Sequence, residues 1–144
     1  MLVRQILNSK PSQEVATITP GAPLAEAARI LSEKRIGALV VVDDSDLPVG
    51  ILSERDIVRE VAASGAICLE KRTDDAMTRD VLTATPDMRA DEVLATMTER
   101  RFRHMPVVED GRMIGIISIG DVVKARLDEL SMEREALTGM IMGN

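Results

Sequence analysis

The sequence predicts an α+β fold, an α/β-type sandwich of two tandem strand–helix–strand–strand–helix units followed by a C-terminal helix. Three observations carry this. The chain repeats itself, helical and strand periods alternate within each copy, and 144 residues with 45% hydrophobic content suffice for one domain of ordinary size. Val15-Ala16-Thr17-Ile18-Thr19-Pro20 returns 66 residues later as Val81-Leu82-Thr83-Ala84-Thr85-Pro86. At the same offset Glu26 meets Glu92, Lys34-Arg35 meets Arg100-Arg101, and Val41-Val42-Asp43-Asp44 meets Val107-Val108-Glu109-Asp110. One residue is then lost from the turn, and Gly50-Ile51-Leu52-Ser53 meets Gly115-Ile116-Ile117-Ser118.

Each copy opens on a short strand ending at Pro20 or Pro86. Leu24, Ala27, Ala28 and Leu31 then fall at helical spacing, and Ala90, Val93, Leu94 and Met97 repeat it. Ala38 to Val42 and Val49 to Leu52 flank the polar turn Asp43-Asp44-Ser45-Asp46, a hairpin pattern. Met105 to Val108 and Met113 to Ile117 flank the shorter turn Glu109-Asp110-Gly111-Arg112. Closing helices follow, expected to bury Ile57, Val58 and Val61 in one copy and Val122, Val123 and Leu127 in the other. Neither copy has enough apolar surface to stand well alone, so the two should meet face to face around a shared core. The organisation expected is repeat one with its N-terminal segment over 1–66, linker and repeat two over 67–130, and a helical tail over 131–144. Ser64 to Asp75 reads as a connection without sustained period. Leu127, Leu130, Leu137 and Ile141 fall near heptad spacing, with Arg134 interrupting the seam and Gly143-Asn144 at the end. The plain reading is a terminal helix folded back onto the domain, the alternative a helix meeting a partner subunit.

Composition removes several function classes. With 18 basic against 24 acidic residues and a net charge of −6, the chain lacks the basic footprint that nucleic-acid phosphates require. Phe102 is the one aromatic of its class, so no stacking platform for bases is expected. One Cys and one His leave little room for disulfides, a metal site or a His-based triad. Cys68 reads as a plain small residue, the nine Met as core filler or tail, and Asp43 to Asp46 as a solvated turn rather than a Ca²⁺ loop. No apolar run approaches a membrane span and no signal peptide opens the chain. A cytoplasmic protein without membrane or nucleic-acid partners is expected.

The repeated polar motif is Gly-h-h-Ser-x-x-Asp, with h aliphatic: Gly50 to Asp56 and Gly115 to Asp121. A Ser ending a strand, followed three residues later by an acid, is close to a helix capping box. The same acid, at a helix N-terminus, can accept hydrogen bonds from both hydroxyls of a ribose. Capping needs only one of the two polar residues, which would leave the other free to face a ligand. A second set precedes the middle strand. Arg100-Arg101 and Lys34-Arg35 complement helix C-termini. Arg103-His104 stands where the first copy has Gly37-Ala38. Cationic donors in one half and almost no side chain in the other suit one site closing on phosphates and another lined by backbone; a solvated Arg-His pair is the alternative.

These residues together resemble paired CBS domains, the cystathionine-β-synthase modules. The features are Val-x-Thr-x-x-Pro opening each copy, the strand before Val-Val in the middle, and Gly-h-h-Ser-x-x-Asp before the last helix. Ser53-Glu54-Arg55-Asp56 and Ser118-Ile119-Gly120-Asp121 look like stand-alone bacterial members. The resemblance implies two βαββα units in a flat pseudo-two-fold pair with two clefts, and two pairs associating as a homodimeric disc. It implies adenosine-containing ligands: AMP, ADP or ATP, sometimes NAD(H) or S-adenosylmethionine. Asp56 and Asp121 would hold ribose hydroxyls, with Ser53, Arg55 and Ser118 beside them. Backbone near Val15 and near Asp80-Val81 would meet the adenine edge, between aliphatic walls from the Ile36 strand and the Met105-Pro106 strand. Arg103 and His104 occupy the position where relatives place a His and an Arg on phosphates, here in reversed order, and Gly37-Ala38 is the charge-free counterpart. The function implied is a non-catalytic regulatory module sensing energy or redox state for an unknown protein target. The rival is a ligand-free interaction module. An enzyme would need a positioned base, and only His104 and unpaired carboxylates are on offer.

Overall fold

The structure, a computed structural model, describes residues 1–12 and 14–141; Gln13 and the expected Gly143-Asn144 end lie outside them. The chain runs α1 (Val3–Ser9), β1 (Thr17–Ile18), α2 (Leu24–Lys34), β2 (Ala38–Val42), β3 (Pro48–Ser53) and α3 (Glu54–Ser64). A 3-10 helix (Gly65–Glu70) and α4 (Thr73–Ala76) follow, then α5 (Ala90–Arg100), β4 (His104–Glu109), β5 (Arg112–Ser118) and α6 (Ile119–Ile141).

In the first unit β1 pairs parallel to β2, and β2 pairs antiparallel to β3 with Ala38 opposite Ser53. In the second, β4 and β5 form the matching hairpin with His104 opposite Ser118. The strand expected to open this copy shrinks to one parallel bridge, Ala84 to Val107, held by Ala84 N–H on the Pro106 carbonyl (2.8 Å) and Val108 N–H on that of Ala84 (2.9 Å). Helices α2 and α5 bury the predicted faces: Leu24, Ala27 and Leu31, and Ala90, Val93 and Met97. Arg35 and Arg101 end these helices in the left-handed region (φ 53° and 61°), so the repeated basic pair works partly through its backbone.

The expected shared core is two cores. One cluster joins Ile18, Leu24, Leu31, Leu39, Val41 and Leu52; the other joins Ile6, Leu7, Val93, Met97, Val107, Ile117 and Val122. What unites the copies is an exchange of leading segments. Helix α1, although it precedes the first unit, lies in the core of the second through Val3, Ile6 and Leu7. Val3 N–H donates to the Met88 carbonyl (2.9 Å), Arg4 N–H to Pro86 (3.0 Å) and Ala90 N–H to Met1 (2.8 Å). The stretch before the second unit does the reverse. Thr73 N–H donates to the Ala22 carbonyl (2.8 Å), Asp74 N–H to Pro20 (3.0 Å) and Leu24 N–H to Lys71 (2.9 Å). The segment expected as a plain connection is therefore helical and packed, with Cys68 and Thr73 fully buried.

Two expectations about the closing helices are corrected. Val58 and Val61 of α3 are 66% and 44% exposed, and Val123 and Leu127 of α6 are 40% and 62% exposed. Only Asp56 of α3, and Val122 and Ala125 of α6, are buried. The apolar stripe exists, but its wider part faces away from the sheets. The tail does not fold back: it continues α6 to Ile141, with Leu130, Met132, Leu137 and Met140 exposed. Among the described residues, no helix is long and apolar enough to cross a membrane.

Because α1 completes the second core from the far end of the chain, Ile6→Ala should lower stability by about 2–5 kcal/mol. Native-state hydrogen exchange should then show the loss in β4 and β5 and spare β2 and β3. Equal loss in both hairpins would contradict the segment exchange.

Candidate functional site

Both Ser-x-x-Asp motifs lie where a strand runs straight into a helix. Ser53, extended at φ −105°, is the N-cap of α3. Its Oγ accepts the Asp56 N–H (3.2 Å), while Asp56 Oδ2 accepts the Ser53 N–H (2.8 Å) and hydroxyl (3.1 Å). In the second unit Ser118 Oγ accepts the Asp121 N–H (3.1 Å), and Asp121 Oδ2 accepts the Ser118 N–H (2.9 Å). The expectation that one polar residue of each motif stays out of the cap is corrected: both take part. A capping box orients the acid through one oxygen, however, and a carboxylate has two. Asp56, 5% exposed, keeps Oδ1 for a 3.4 Å contact with the exposed Arg59 guanidinium.

The residue before each middle strand is tied to the same junction. Glu54 N–H donates to the Gly37 carbonyl (2.9 Å) and Ile119 N–H to the Arg103 carbonyl (2.8 Å). This brings the strand entrance and the helix N-terminus to one point in each unit, with the helix dipole favouring negative charge there.

A cavity of about 550 Å³ opens between the units, at the first junction. Of the sequence-predicted residues, Gly37, Ser53, Arg55, Asp56, Val81, Arg103 and His104 line it. The first unit supplies the acid and the second the Arg-His pair, so the site needs both copies. Val15, Ile36, Ala38, Asp80, Met105, Pro106, Ser118 and Asp121 do not line this cavity. Ala38, Met105 and Pro106 are buried in their strands, and Met105 belongs to the second core. Sequence reasoning missed Ile51, Glu54, Val58, Arg59, Thr78, Leu82, Arg101 and Phe102 among the lining residues. Thr78 arrives through reciprocal backbone hydrogen bonds with Ile51 (2.9 and 3.0 Å), a pairing that no side-chain pattern announces. Phe102 corrects the expectation of purely aliphatic walls, since the one benzene ring of the chain lines the cavity. Its signal was its place between Arg101 and Arg103, both lining residues.

Four guanidinium groups (Arg55, Arg59, Arg101 and Arg103) face two acids, Glu54 and Asp56, in a chain of net charge −6. Such a cavity offers an anion a local cationic surplus, a carboxylate acceptor for hydroxyl groups, and one ring face for a flat apolar group. Among the described residues no cluster of metal-ligating side chains occurs. His104 is half-buried where it lines the cavity. Burial holds its imidazole below the ordinary value near 6.5, Lys10 and Arg103 push the same way, and Asp121 and Glu54 oppose them. Burial also works against the Asp121 carboxylate, but the Ser118 N–H and the Lys10 ammonium more than offset it and keep Asp121 below the usual carboxylate range.

A family model described as CBS domain matches residues 3–63 and 74–128. An uncharacterized 17.7 kDa protein of Acidianus ambivalens is 37% identical over 132 residues, 91% of this chain and 76% of its own length. The crystal structure of a CBS-domain-containing protein from Agrobacterium tumefaciens superposes with a TM-score of 0.83 at 44% identity, covering 88% of this chain and 99% of that one. The CBS domain pair of protein MJ0100, solved with 5′-methylthioadenosine and S-adenosyl-L-methionine, gives a TM-score of 0.76 at 30% identity, covering 90% and 98%.

The half-buried His104 gives a pH signature. Its native value lies below its unfolded value, so its contribution to stability is complete above about pH 6.5 and falls away as the pH drops through the native value. Urea unfolding at pH 7.5 and 5.5 should show this loss, and His104→Gln should flatten it. The Asp121 contribution disappears only near and below about pH 4, so the two windows separate.

Proposed function

This chain belongs to the CBS domain family, and from that premise we propose that it is a non-catalytic regulatory module that binds an adenosine nucleotide in the cavity between its two units. AMP or ATP is the favoured ligand, and NAD(H) the alternative. The observation that supports this most directly is the meeting of Asp56 with Arg103 and His104 across the inter-unit cavity. Asp56 Oδ1, oriented by its partner oxygen in the cap, accepts the ribose hydroxyls. Arg103 and Arg55 face the phosphates, and Phe102 with Leu82 and Val81 takes the adenine face. The volume supports one mononucleotide or half of a dinucleotide. No nucleophile–base pair is needed in this role, and neither a membrane nor a nucleic acid is engaged. The compartment that suits it is the cytoplasm.

The exposed apolar residues of α3 and α6 support association with a second copy. Val58, Val61, Val123 and Leu127 sit on the two closing helices, and a second pair presenting the same helices would cover them. Ligand occupancy then reaches an unidentified protein target as a change in the geometry of that assembly, which requires the ligand to favour one arrangement over another. A ligand-free interaction module is the second reading, favoured by the part that both polar residues of each Ser-x-x-Asp motif take in capping.

Calorimetric titration with AMP, ATP and NADH separates the two readings. Asp56→Asn should weaken nucleotide binding roughly tenfold or more, the scale of a hydrogen bond to a charged acceptor. Equal affinity in wild type and variant would remove the ribose role, and no binding by either would favour the interaction module. A chain without Trp or Tyr is nearly transparent at 280 nm, so a co-purified nucleotide should dominate absorbance near 260 nm. For the association, Leu127→Glu should shift the light-scattering mass from two chains to one.

A further inference from the structure

The chain holds one histidine, His104, and it lines the inter-unit cavity. The four guanidinium groups around that cavity stay charged throughout the working pH range, whereas an imidazole is charged only after taking up a proton. His104 opens β4, paired across the hairpin with Ser118, so the strand fixes where its ring can reach. The side chain is half-buried, yet among the described residues no hydrogen bond engages either ring nitrogen. Buried polar groups ordinarily find a partner within the fold, and this ring has not.

The charges facing it come from four segments. Arg103 precedes it in the chain, Glu54 stands at the start of α3, Asp121 in the first turn of α6 and Lys10 at the end of α1. Neither acid forms an ion pair with the ring, and Asp121 already holds the Lys10 ammonium (3.0 Å) and the Ser118 N–H (2.9 Å). Arg103 and Lys10 repel an imidazolium and burial adds to them, so the ring is neutral at pH 7. Glu54 and Asp121 oppose this without reversing it. What a charged ring needs is an anion at bonding distance.

We propose that the cavity binds a phosphate together with a proton. The proton goes to a ring nitrogen of His104, and the imidazolium so formed donates to a phosphate oxygen. Ligand affinity is then tied to pH between about pH 6 and 8. This rests on the nucleotide reading of the Asp56 cavity and adds its regulation. The proton comes from solvent, and no covalent bond of the ligand changes. An anion at hydrogen-bond distance raises the proton affinity of an imidazole and gains a charge-assisted contact in return. The coupling is reciprocal, so whatever phosphate does for the proton, the proton does for phosphate. A neutral nucleoside brings no such anion and moves no proton, although it meets Asp56 and Phe102 as before. The arginines cannot produce this behaviour, because they have no proton to take up in this range.

A single histidine makes the test direct, because its ring resonances in proton NMR report one titration. In tag-free protein the His104 midpoint should rise by about one pH unit or more when AMP saturates the cavity, and stay in place with adenosine. Calorimetry should show AMP affinity rising from pH 8 to pH 6 on the order of tenfold more in wild type than in His104→Gln, which carries only the ligand's own titration. Arg103→Gln should bind AMP more weakly at each pH and still raise the midpoint. Circular dichroism checks that both variants are folded; the NMR titration, made on wild type, stands without them. A His104 midpoint that AMP leaves unmoved or lowers, or that adenosine raises as far, overturns the proton coupling and leaves the nucleotide reading intact. An equal pH slope in wild type and folded His104→Gln does the same. Absence of AMP and adenosine binding at every pH overturns the nucleotide reading, and this inference with it.

Discussion

The structure depends on two close approaches, Leu7 onto Gly115 and Met77 onto Gly50. Each glycine sits in the strand that leads to a Ser-x-x-Asp junction, and a Cβ at either position would overlap the incoming side chain. Neither glycine has positive φ, so what they supply here is room rather than backbone freedom. Through this room each exchanged segment reaches the sheet of the other unit, which brings Thr78 onto Ile51 beside the inter-unit cavity and Lys10 onto Asp121. The two cores stay separate, and the covalent crossing of two short segments joins them more directly than a common apolar layer would.

Much of this was legible in the residues. The 66-residue repeat identified both hairpins, the buried faces of α2 and α5, and the position of both acids at helix N-termini. These are local properties, fixed by periodicity and by the capping chemistry of Ser and Asp. The exchange of leading segments was not legible, because it is a set of contacts between residues some 50 and some 80 positions apart and leaves no period of its own. Val58 and Leu127 show a different limit. Their spacing marks an apolar stripe truthfully, but spacing cannot say whether the cover comes from the same chain.

The candidate site shows the same division. Asp56, Ser53, Arg103 and His104 were found from repetition and from its one asymmetry, Arg103-His104 against Gly37-Ala38. Thr78 and Phe102 were not, since neither has a counterpart of the same type in the first copy. The capping box and the proposed ligand role, compatible on sequence, would use different oxygens of one carboxylate. The cap holds the acid in a fixed orientation, and the buried Asp56 has one oxygen satisfied by the backbone.

Helix α6 begins two residues before Asp121 and runs without a break to Ile141, about 34 Å at 1.5 Å per residue. Its first three turns are held, through buried Val122 and Ala125 and through Glu129, which pairs with the N-terminal ammonium (2.6 Å). Residues 130–141 project clear, an arm of about 18 Å. Mechanically this is a pointer whose base is clamped to the N-terminus of the chain, the same segment that completes the second core. A rotation of about 10° at that clamp carries the far end through about 3 Å, on the scale of a side-chain register in a helix contact.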